Sequence, residues 1–521
     1  MGIPSYYKRL AQSLKGLVVP HKYGSGFQAN TLLFDFNCMI YQVIRNPTRR
    51  PFPGYGTYEA DEWEKEVCQD VVNYAVNIWK EVGKPKTVFI GIDGVVPMAK
   101  IRQQRLRRFK SIWTSNEERA RGIRAQDDIH WDTNAITPGT EFMEKLAKRL
   151  QEMCKVHGWI LSDSSQTGEG EQKCMNFWKS IAQTKTPGDL VIYGLDADLI
   201  LLCLLTRQLL KDTNPVWCIR ETTEWEGGER ASSPLMRLSI DKLQNHLIPS
   251  DMDALQWTLD YVAAMNFLGN DFVPHGISLK IRDGGHDALL RALEELHKRK
   301  MCLVNTLNGQ YTYNTQAILF LCRKWANQEE KKIIDFVKMK HAKLNHEDWN
   351  SLPSEWSVEQ KILFEHPGQL YEDWQSRMNQ EWFGRHVKPE NICEAYATGL
   401  QWVLDYYTGQ FPVHTLWMYP WSLPPSWNQW VQWLEKKDTP DFFLKSRRNN
   451  TDIIQPQEQL AMVLPMESWH LLRDTRYKLA PQKYPYYWPK SYSFFSAGKL
   501  FLWECEPELP IFSLAMLRSV S

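Results

Sequence analysis

The sequence LVIYGLDADLILLCLL, residues 190–205, is the clearest indication of fold class in this chain. Its first six residues are apolar and lead into the acids Asp196 and Asp198, which indicates a buried strand that ends at a polar edge. Residues 31–35 and 87–93 are two further β-rich runs that each end in an acid, and helical patterns separate the three runs. The helical patterns cover residues 61–82, 141–157 and 171–182. Strands and helices in this order predict an α/β fold with a mostly parallel central sheet flanked by helices.

Seven acidic residues follow these runs or stand beside glycines: Asp35, Asp93, Glu169, Glu171, Asp196, Asp198 and Asp271. Ligands of open parallel sheets bind beyond the carboxyl ends of the strands, so we expect these acids to converge. Carboxylates can hold two Mg²⁺ about 4 Å apart, one to activate a water and one to stabilise a leaving oxygen. A single Asp after a strand is better interpreted as a helix cap or a turn residue. Seven acids in such positions favour metal-dependent phosphoryl transfer.

Residues 98–110 contain six basic residues and no acid. If this segment is helical, Lys100, Gln104, Arg107 and Arg108 fall on one face. Guanidinium groups offer paired donors in a fixed plane, which suits a terminal phosphate. A solvated basic helix is the usual interpretation of such a run. The position directly after Asp93 favours a phosphate pocket instead.

The overall composition restricts the function classes. The chain has 521 residues, of which 43% are hydrophobic and 24% charged, as in folded proteins. Its net charge of +1 means that any nucleic-acid footprint must be local. The ten cysteines contain no C-x-x-C pair, which argues against a zinc ribbon and a disulfide framework. The longest apolar run near the middle, residues 199–205, is too short for a bilayer. We therefore expect no membrane partner and a reducing compartment, most simply the cytoplasm, with the nucleus left open.

Three regions are expected along the chain. Residues 1–302 are expected to form the catalytic nuclease region, and residues 303–348 are expected to form a helical connector. Residues 349–521 are rich in Trp, Tyr and Pro, and they form a second region that braces the active site.

Several sequence motifs follow one another along the chain in the order that is typical of one protein family. They are MGIP (1–4), DFN (35–37), DGVVPMAK (93–100), QQRLRRF (103–109), ITPGTEFM (136–143), GEGEQK (168–173), YGLDADL (193–199), GNDFVPH (269–275), GLQWVLDYY (399–407) and LAMVLP (460–465). With these motifs the chain resembles the Xrn-type 5′→3′ exoribonucleases over nearly its whole length.

The resemblance implies a site and a reaction. The family's metal ligands correspond to the seven acids, and its 5′-phosphate pocket corresponds to Lys100, Gln104, Arg107 and Arg108. Its base-stacking tryptophan corresponds to Trp417. We therefore expect processive 5′→3′ degradation of single-stranded RNA with a 5′-monophosphate, with release of nucleoside 5′-monophosphates. Two Mg²⁺ ions are the implied cofactors, and Mn²⁺ is a plausible substitute.

The chain departs from the family pattern at two positions. Tyr41 stands where a histidine usually helps to stack the first nucleotide, and a phenol ring can also stack on a base. Gln172 replaces another common histidine. The sequence shows no counterpart of the family's extra domains, so we expect a minimal version with the conserved catalytic core only. Protein partners are expected to replace those domains.

Two alternatives stay open. One is a flap-type endonuclease, which uses a similar carboxylate cluster but usually needs a duplex-binding helix–hairpin–helix element. The other is a catalytically impaired RNA-binding or scaffold protein that retains the Xrn fold. The changes at Tyr41 and Gln172 leave room for the second alternative, whereas the complete set of acids argues against it.

Overall fold

A seven-stranded sheet lies at the centre of the protein, with strand order β1-β7-β6-β5-β2-β3-β4. The structure is a computed structural model that describes residues 3, 5–22, 24–125, 129–184, 187–221, 235–307, 309–344, 352–436, 447 and 452–520. The strands are β1 (Val18–Pro20), β2 (Thr31–Asp35), β3 (Thr87–Gly91), β4 (Ile160–Ser162), β5 (Leu190–Tyr193), β6 (Val216–Glu221) and β7 (Leu235–Ser239). All pairings from β6 to β4 are parallel, and only β7 and β1 add antiparallel edges. The predicted α/β fold with a mostly parallel sheet is confirmed.

Ten helices accompany this sheet in the first 300 residues that the structure describes. They are α1 (Tyr6–Ser13), α2 (Asn37–Ile44), α3 (Tyr58–Glu81), α4 (Met98–Ala120), α5 (Glu141–His157), α6 (Gly170–Ile181), α7 (Asp198–Leu210), α8 (Ile240–Leu247), α9 (Ala254–Met265) and α10 (Gly285–Lys298). Local signals set their ends. The Thr140 side chain accepts from the Met143 amide and begins α5, and Gly158 in the left-handed region ends it.

The later part of the chain is mainly helical. After the hairpin of β8 (Val304–Leu307) and β9 (Gln310–Tyr313) come α11 (Thr315–Lys343), α12 (Val358–Leu363), β10 (Phe364–His366), β11 (Gln369–Leu370), α13 (Trp374–Trp382), α14 (Pro389–Thr408), α15 (Trp427–Glu435), α16 (Pro456–Val463), α17 (Thr475–Lys478), α18 (Ala480–Lys483), β12 (Phe494–Phe495), β13 (Glu506–Pro507) and α19 (Leu514–Arg518). The helical pattern predicted from residue 303 onward therefore begins with a hairpin. The predicted boundary at residues 348 and 349 lies outside the described residues.

The aromatic-rich later region packs directly against the sheet region. Trp402 and Trp430 are fully buried in the same apolar cluster as Ile192 of β5. A separate cluster joins Ile101 of α4 to Leu460 of α16. The later region therefore packs against the first through continuous apolar contacts, and its role as a brace of the active site stays a prediction. No helix in the described ranges is both long and apolar enough to cross a membrane.

Candidate active site

Parallel pairing brings several of the predicted acids to one edge of the sheet. Asp35 is the last residue of β2 and pairs with Gly91 at the end of β3, two residues before Asp93. Phe34 pairs with Tyr193 of β5, and Asp196 and Asp198 follow three and five residues later. Because the strands run in the same direction, the acidic side chains at their carboxyl ends lie at the same edge of the sheet.

Glycines allow the acidic segments to approach each other closely. A Cβ atom on Gly170 would lie 2.7 Å from Asp35 Oδ1 and 2.7 Å from the Gly91 carbonyl oxygen. A Cβ atom on Gly194 would lie 3.3 Å from Asp35 Oδ2. A side chain at Gly170 would therefore clash with a rigid carbonyl, so glycine is required for this approach.

Hydrogen bonds fix the loops that carry Asp93 and Glu169. The Gly170 amide donates to Asp93 Oδ1 at 2.7 Å, so Asp93 accepts at the start of α6. The Asn37 side chain donates to Asp93 Oδ2 at 3.1 Å and accepts from the Asp93 amide at 3.1 Å. Lys173 Nζ donates to the carbonyls of Ile92, Asp163 and Gln166 at 2.7–2.8 Å. Lys173 thus joins two loops that contribute to the acidic cluster.

Lys100 lies between two of the acids. Its Nζ atom is 2.5 Å from Glu169 Oε2 and 2.8 Å from Asp271 Oδ2, and all three side chains are at most 9% exposed. Burial opposes the charge of Lys100, but the carboxylates of Asp271 and Glu169 raise its pKa well above the ordinary value. Burial likewise opposes ionisation of Asp271, and the Lys100 ammonium lowers the pKa of that carboxyl.

Two carboxylates of the cluster are buried without satisfied hydrogen bonds. In the described part of the chain, neither oxygen of Asp198 has a partner, and Glu171 Oε1 has none either. Burial, followed by the charges of Asp196 and Asp271, raises the pKa of Asp198 to about 7. Burial and the neighbouring acids Asp198 and Glu169 raise the pKa of Glu171 well above its ordinary value. Crowded carboxylates of this kind favour the binding of protons or metal cations.

The pKa of Asp35 is also raised well above the ordinary value, by burial and by the charges of Asp93, Asp196 and Asp198. These influences join Asp35 electrostatically to the acids that follow β3 and β5. Among the described residues, however, no three His, Cys, Asp or Glu side chains form a ready-made metal site. The acids are linked through their mutual charges and through Lys100.

The basic face predicted on α4 is only partly open. Lys100, Gln104 and Arg108 are buried, whereas Arg107 is exposed. Gln104 Oε1 accepts from the Gln459 side chain of α16 at 3.4 Å. Burial lowers the pKa of Arg108 to about 10, and its Nη1 has no partner among the described residues. Arg107 lines a cleft of about 180 Å³ that Asp271 also lines. At one end of this face, Lys100 therefore contacts the acids Glu169 and Asp271, whereas Arg107 is exposed to the cleft.

The two predicted stacking residues lie in different surroundings. Tyr41 is half-buried on α2, with the Arg45 guanidinium 5.3 Å from its ring centroid. Trp417 stacks on Trp402 of α14 with a centroid distance of 5.1 Å and an interplanar angle of 29°. Trp417 also fills the space above Gly399, where a Cβ atom would lie 2.9 Å from its ring.

Sequence reasoning missed the two tyrosines at the end of α14. Tyr406 Oη donates to Glu169 Oε1 at 2.6 Å, across 237 residues of sequence. Burial, and then the charges of Asp198 and Glu171, raise the pKa of Tyr407 well above its ordinary value. Both lie in the motif GLQWVLDYY, but helical spacing alone does not reveal which distant acid a tyrosine reaches.

The motif MGIP that opens the chain is described only in part, since Met1, Gly2 and Pro4 lie outside the described residues. Gln172, at the second departure from the family pattern, is buried in α6.

Comparison with known proteins agrees with the motifs. Residues 1–211 match the family model described as the XRN 5′-3′ exonuclease N-terminus. The chain is 30% identical over 365 residues to 5′-3′ exoribonuclease 2 of Saccharomyces cerevisiae, covering 56% of this chain and 35% of the relative. It is 33% identical over 368 residues to the protein of the same name from Debaryomyces hansenii, and this alignment covers 57% of this chain and 35% of the relative. It is 29% identical over 436 residues to the protein of the same name from Kluyveromyces lactis, and this alignment covers 69% of this chain and 42% of the relative.

The chain thus spans 35–42% of the length of these curated relatives. The matched segment at residues 1–211 contains six of the seven acids and the whole basic face of α4. Over residues 1–211 the chain is thus similar to the N-terminus of Xrn exonucleases, and the alignments with the relatives cover 56–69% of the chain.

Proposed function

We propose that this protein is a 5′→3′ exoribonuclease that removes nucleoside 5′-monophosphates from single-stranded RNA with a 5′-monophosphate. The main support for the proposal is the group of closely spaced, buried carboxylates directly beside the basic face of α4. Asp198 has two buried oxygens without partners among the described residues, and Lys100 joins the acids to the basic face. The printed names of the relatives, 5′-3′ exoribonuclease 2, support the direction of cleavage and the RNA substrate.

The donor set suits magnesium. Mg²⁺ prefers oxygen ligands, and the seven acids offer carboxylate oxygens, of which one of Glu171 and both of Asp198 have no hydrogen-bond partner among the described residues. We propose that the ligands are Asp35, Asp93, Glu169, Glu171, Asp196, Asp198 and Asp271. When bound, two such ions would supply activation of the attacking water and stabilisation of the leaving oxygen. Mn²⁺ has similar ligand preferences and is a suitable substitute in the test tube.

The side chains of the protein would hold the substrate at both ends of the first nucleotide. Arg107 and Arg108, with Gln104 and Lys100, bind the 5′-phosphate, and Trp417 and Tyr41 stack on the leading bases. The water oxygen then forms a bond to phosphorus as the bond from phosphorus to the first 3′-oxygen breaks. The 3′-oxygen takes a proton, and the shortened strand keeps a 5′-phosphate. Because the new end matches the old one, the enzyme can proceed without releasing the strand.

One observation favours the non-catalytic alternative. The Lys100 ammonium already binds Glu169 and Asp271, and no three acids among the described residues form a ready-made ion site. A scaffold that uses Lys100 to neutralise the acids would need no ion. Metal binding and cleavage therefore have to be measured together. The assignment of residues 1–302 to catalysis, with 303–348 and 349–521 as connector and brace, belongs to the same proposal, as does a cytoplasmic location.

The experiment uses RNA labelled throughout its length and carrying a 5′-monophosphate, a 5′-triphosphate or a 5′-hydroxyl, with Mg²⁺ or EDTA. We expect mononucleotides only from the monophosphate substrate and only with Mg²⁺. Oligonucleotide products would indicate a flap-type endonuclease. Absence of cleavage by folded protein would support the scaffold alternative.

The variant Arg107→Gln tests the phosphate pocket within the same assay. Loss of one charge-assisted hydrogen bond of about 1.5–3 kcal/mol should lower kcat/KM for monophosphate RNA about 10- to 100-fold. Arg121, an exposed arginine just beyond the end of α4, provides the matched control Arg121→Gln, which should leave kcat/KM unchanged. Equal effects of the two substitutions would remove Arg107 from the pocket.

A further inference from the structure

Two different groups hold the two oxygens of the Glu169 carboxylate. The Lys100 ammonium lies 2.5 Å from Oε2, and the Tyr406 hydroxyl donates to Oε1 at 2.6 Å. The Lys100 side chain is a flexible four-carbon stem, and its ammonium is shared with Asp271. Tyr406 differs from Lys100 because its hydroxyl is attached directly to a rigid aromatic ring. If a cation or a phosphate displaces Lys100, Tyr406 is the contact that keeps Glu169 in place.

The ring of Tyr406 is fixed by aromatic neighbours on two sides. Trp402 stacks on it with a centroid distance of 5.0 Å and an interplanar angle of 17°. Phe272 meets it edge to face at 5.3 Å, and Phe272 directly follows the acid Asp271. These contacts restrict both the position and the rotation of the phenol.

The stack continues from Trp402 to Trp417 at 5.1 Å. Trp402 is fully buried, and its indole N–H donates to the His414 carbonyl at 3.0 Å. Gly399 lies one turn before Trp402 on α14 and leaves room for Trp417. Trp417, Trp402 and Tyr406 thus form one aromatic column that ends on the Glu169 carboxylate.

We propose that Tyr406 is a positioning residue for Glu169, and that the aromatic column connects the base-stacking surface of Trp417 to this carboxylate. The inference rests on the proposed nuclease function and goes beyond it, because it gives a role to residues outside the acids and the basic face. Groups that orient a metal ligand commonly change metal affinity or activity 10- to 100-fold when removed. The column would also align the first base and the carboxylate within one rigid unit.

Tyr407 shows that the geometry, rather than the presence of a tyrosine, selects Tyr406. The Tyr407 hydroxyl is buried and has no hydrogen-bond partner among the described residues, although the acids Asp198 and Glu171 lie near enough to affect its pKa. Tyr406, by contrast, makes a short hydrogen bond to a defined oxygen. The two adjacent tyrosines therefore have different relations to the same acidic cluster.

The test compares Tyr406→Phe with Tyr396→Phe. Tyr396 lies on the same helix, is fully buried and donates to the Pro274 carbonyl at 3.3 Å instead of to a carboxylate. The first readout is Mn²⁺ binding to RNA-free protein by calorimetry, and the second is kcat and KM for monophosphate RNA. We expect Tyr406→Phe to weaken Mn²⁺ binding and to lower kcat, each by 10-fold or more, with KM changed less than twofold. Tyr396→Phe should match the wild type in all three.

Two substitutions at Trp402 test the column. Trp402→Phe keeps a ring and should resemble the wild type, whereas Trp402→Leu removes the stack and should raise both KM and the Mn²⁺ dissociation constant. Thermal unfolding verifies that each variant is folded before it is compared. A change in KM alone would show that the column does not reach Glu169.

The outcomes for the wild type separate the two proposals. If the wild type binds Mn²⁺ but releases no mononucleotide, the nuclease proposal fails and the calorimetric comparison still decides the role of Tyr406. If the wild type and Tyr406→Phe bind Mn²⁺ equally and cleave equally, the positioning role is overturned alone. If the wild type binds no Mn²⁺, both proposals are overturned.

Discussion

Asp198 is completely buried, and neither of its oxygens has a hydrogen-bond partner in the described part of the chain. A buried ionised group without partners costs stability, by about 1–3 kcal/mol for a polar group and more for a charge. We therefore predict that Asp198→Asn raises the free energy of unfolding at pH 8 without divalent ions by about 1–3 kcal/mol. The same variant should lose cleavage and most of the stabilisation that Mg²⁺ gives the wild type. Urea titrations with and without Mg²⁺ measure both effects.

Asp260 provides the opposite control, because it is equally buried but fully satisfied. Its oxygens accept from Gln256, the Val304 amide and His297 at 2.8–2.9 Å. Asp260→Asn should therefore destabilise the protein with or without Mg²⁺. If Asp198→Asn also destabilised the ion-free protein, the crowding argument for the cluster would be wrong.

Single residues also show what a sequence can and cannot reveal about the site. The acids after β2, β3 and β5 were predictable, because the carboxyl ends of parallel strands meet. Lys100 was predicted on the phosphate face from helical spacing, but the structure shows its ammonium on Glu169 and Asp271. Spacing along one helix does not identify partners that lie 69 and 171 residues away in sequence.

Glu329 of α11 joins two helices of the later region. It is buried, and both of its oxygens accept from the Trp427 amide at the start of α15, at 3.0 and 3.2 Å. Burial raises the pKa of Glu329 from 4.5 to about 8. Between these values the folded protein holds a proton that the unfolded chain releases, so stability should fall as pH rises from about 4.5 to about 8. The contribution has a limit of about 1.4 kcal/mol per pH unit.

The comparison of wild type with Glu329→Gln isolates this contribution from that of the active-site acids. We predict a shallower loss of unfolding free energy between pH 5 and pH 8 for the variant. Glu294→Gln, at an exposed position of α10, should keep the wild-type slope. Parallel pH profiles for Glu329→Gln and the wild type would mean that Glu329 stays ionised in the fold.

Elements with strong local signals were the ones predicted well. The predicted strand 31–35 and helix 141–157 have the observed bounds of β2 and α5, since an apolar run and a Thr–Gly pair of caps define them. The β8–β9 hairpin was not predicted within residues 303–348. Its partners are distant: Gln401 of α14 accepts from the Tyr313 amide and donates to the Tyr311 carbonyl. Such support from another helix has no signature in the local sequence.

Arg105 connects the two regions of the whole molecule. It lies on α4 and is buried, and its guanidinium donates to the Met462 carbonyl at 2.7 Å and to the Tyr487 carbonyl. The Arg105 guanidinium also lies over the aromatic rings of Phe109, on the same helix, and Phe512. We predict that Arg105→Met lowers the free energy of unfolding by about 3 kcal/mol, because two hydrogen bonds from a charged donor are lost. Arg121→Met, at an exposed position, should change it by less than about 0.5 kcal/mol.

Urea unfolding followed by tryptophan fluorescence and by circular dichroism measures this effect and also reports cooperativity. Coincident curves would mean that both regions unfold together. A variant that loses only the later region would give two separate transitions and would contradict the idea of a single braced body.

The connection through Arg105 has a consequence for the synthesis of the protein. A growing chain completes the five parallel strands and α4 long before residues 462 and 487 leave the ribosome. Until then the guanidinium of Arg105 lacks the carbonyls that hold it, and Tyr406 has not yet reached Glu169. The nascent polypeptide therefore forms the contacts of Arg105 only after residue 487 has been synthesised.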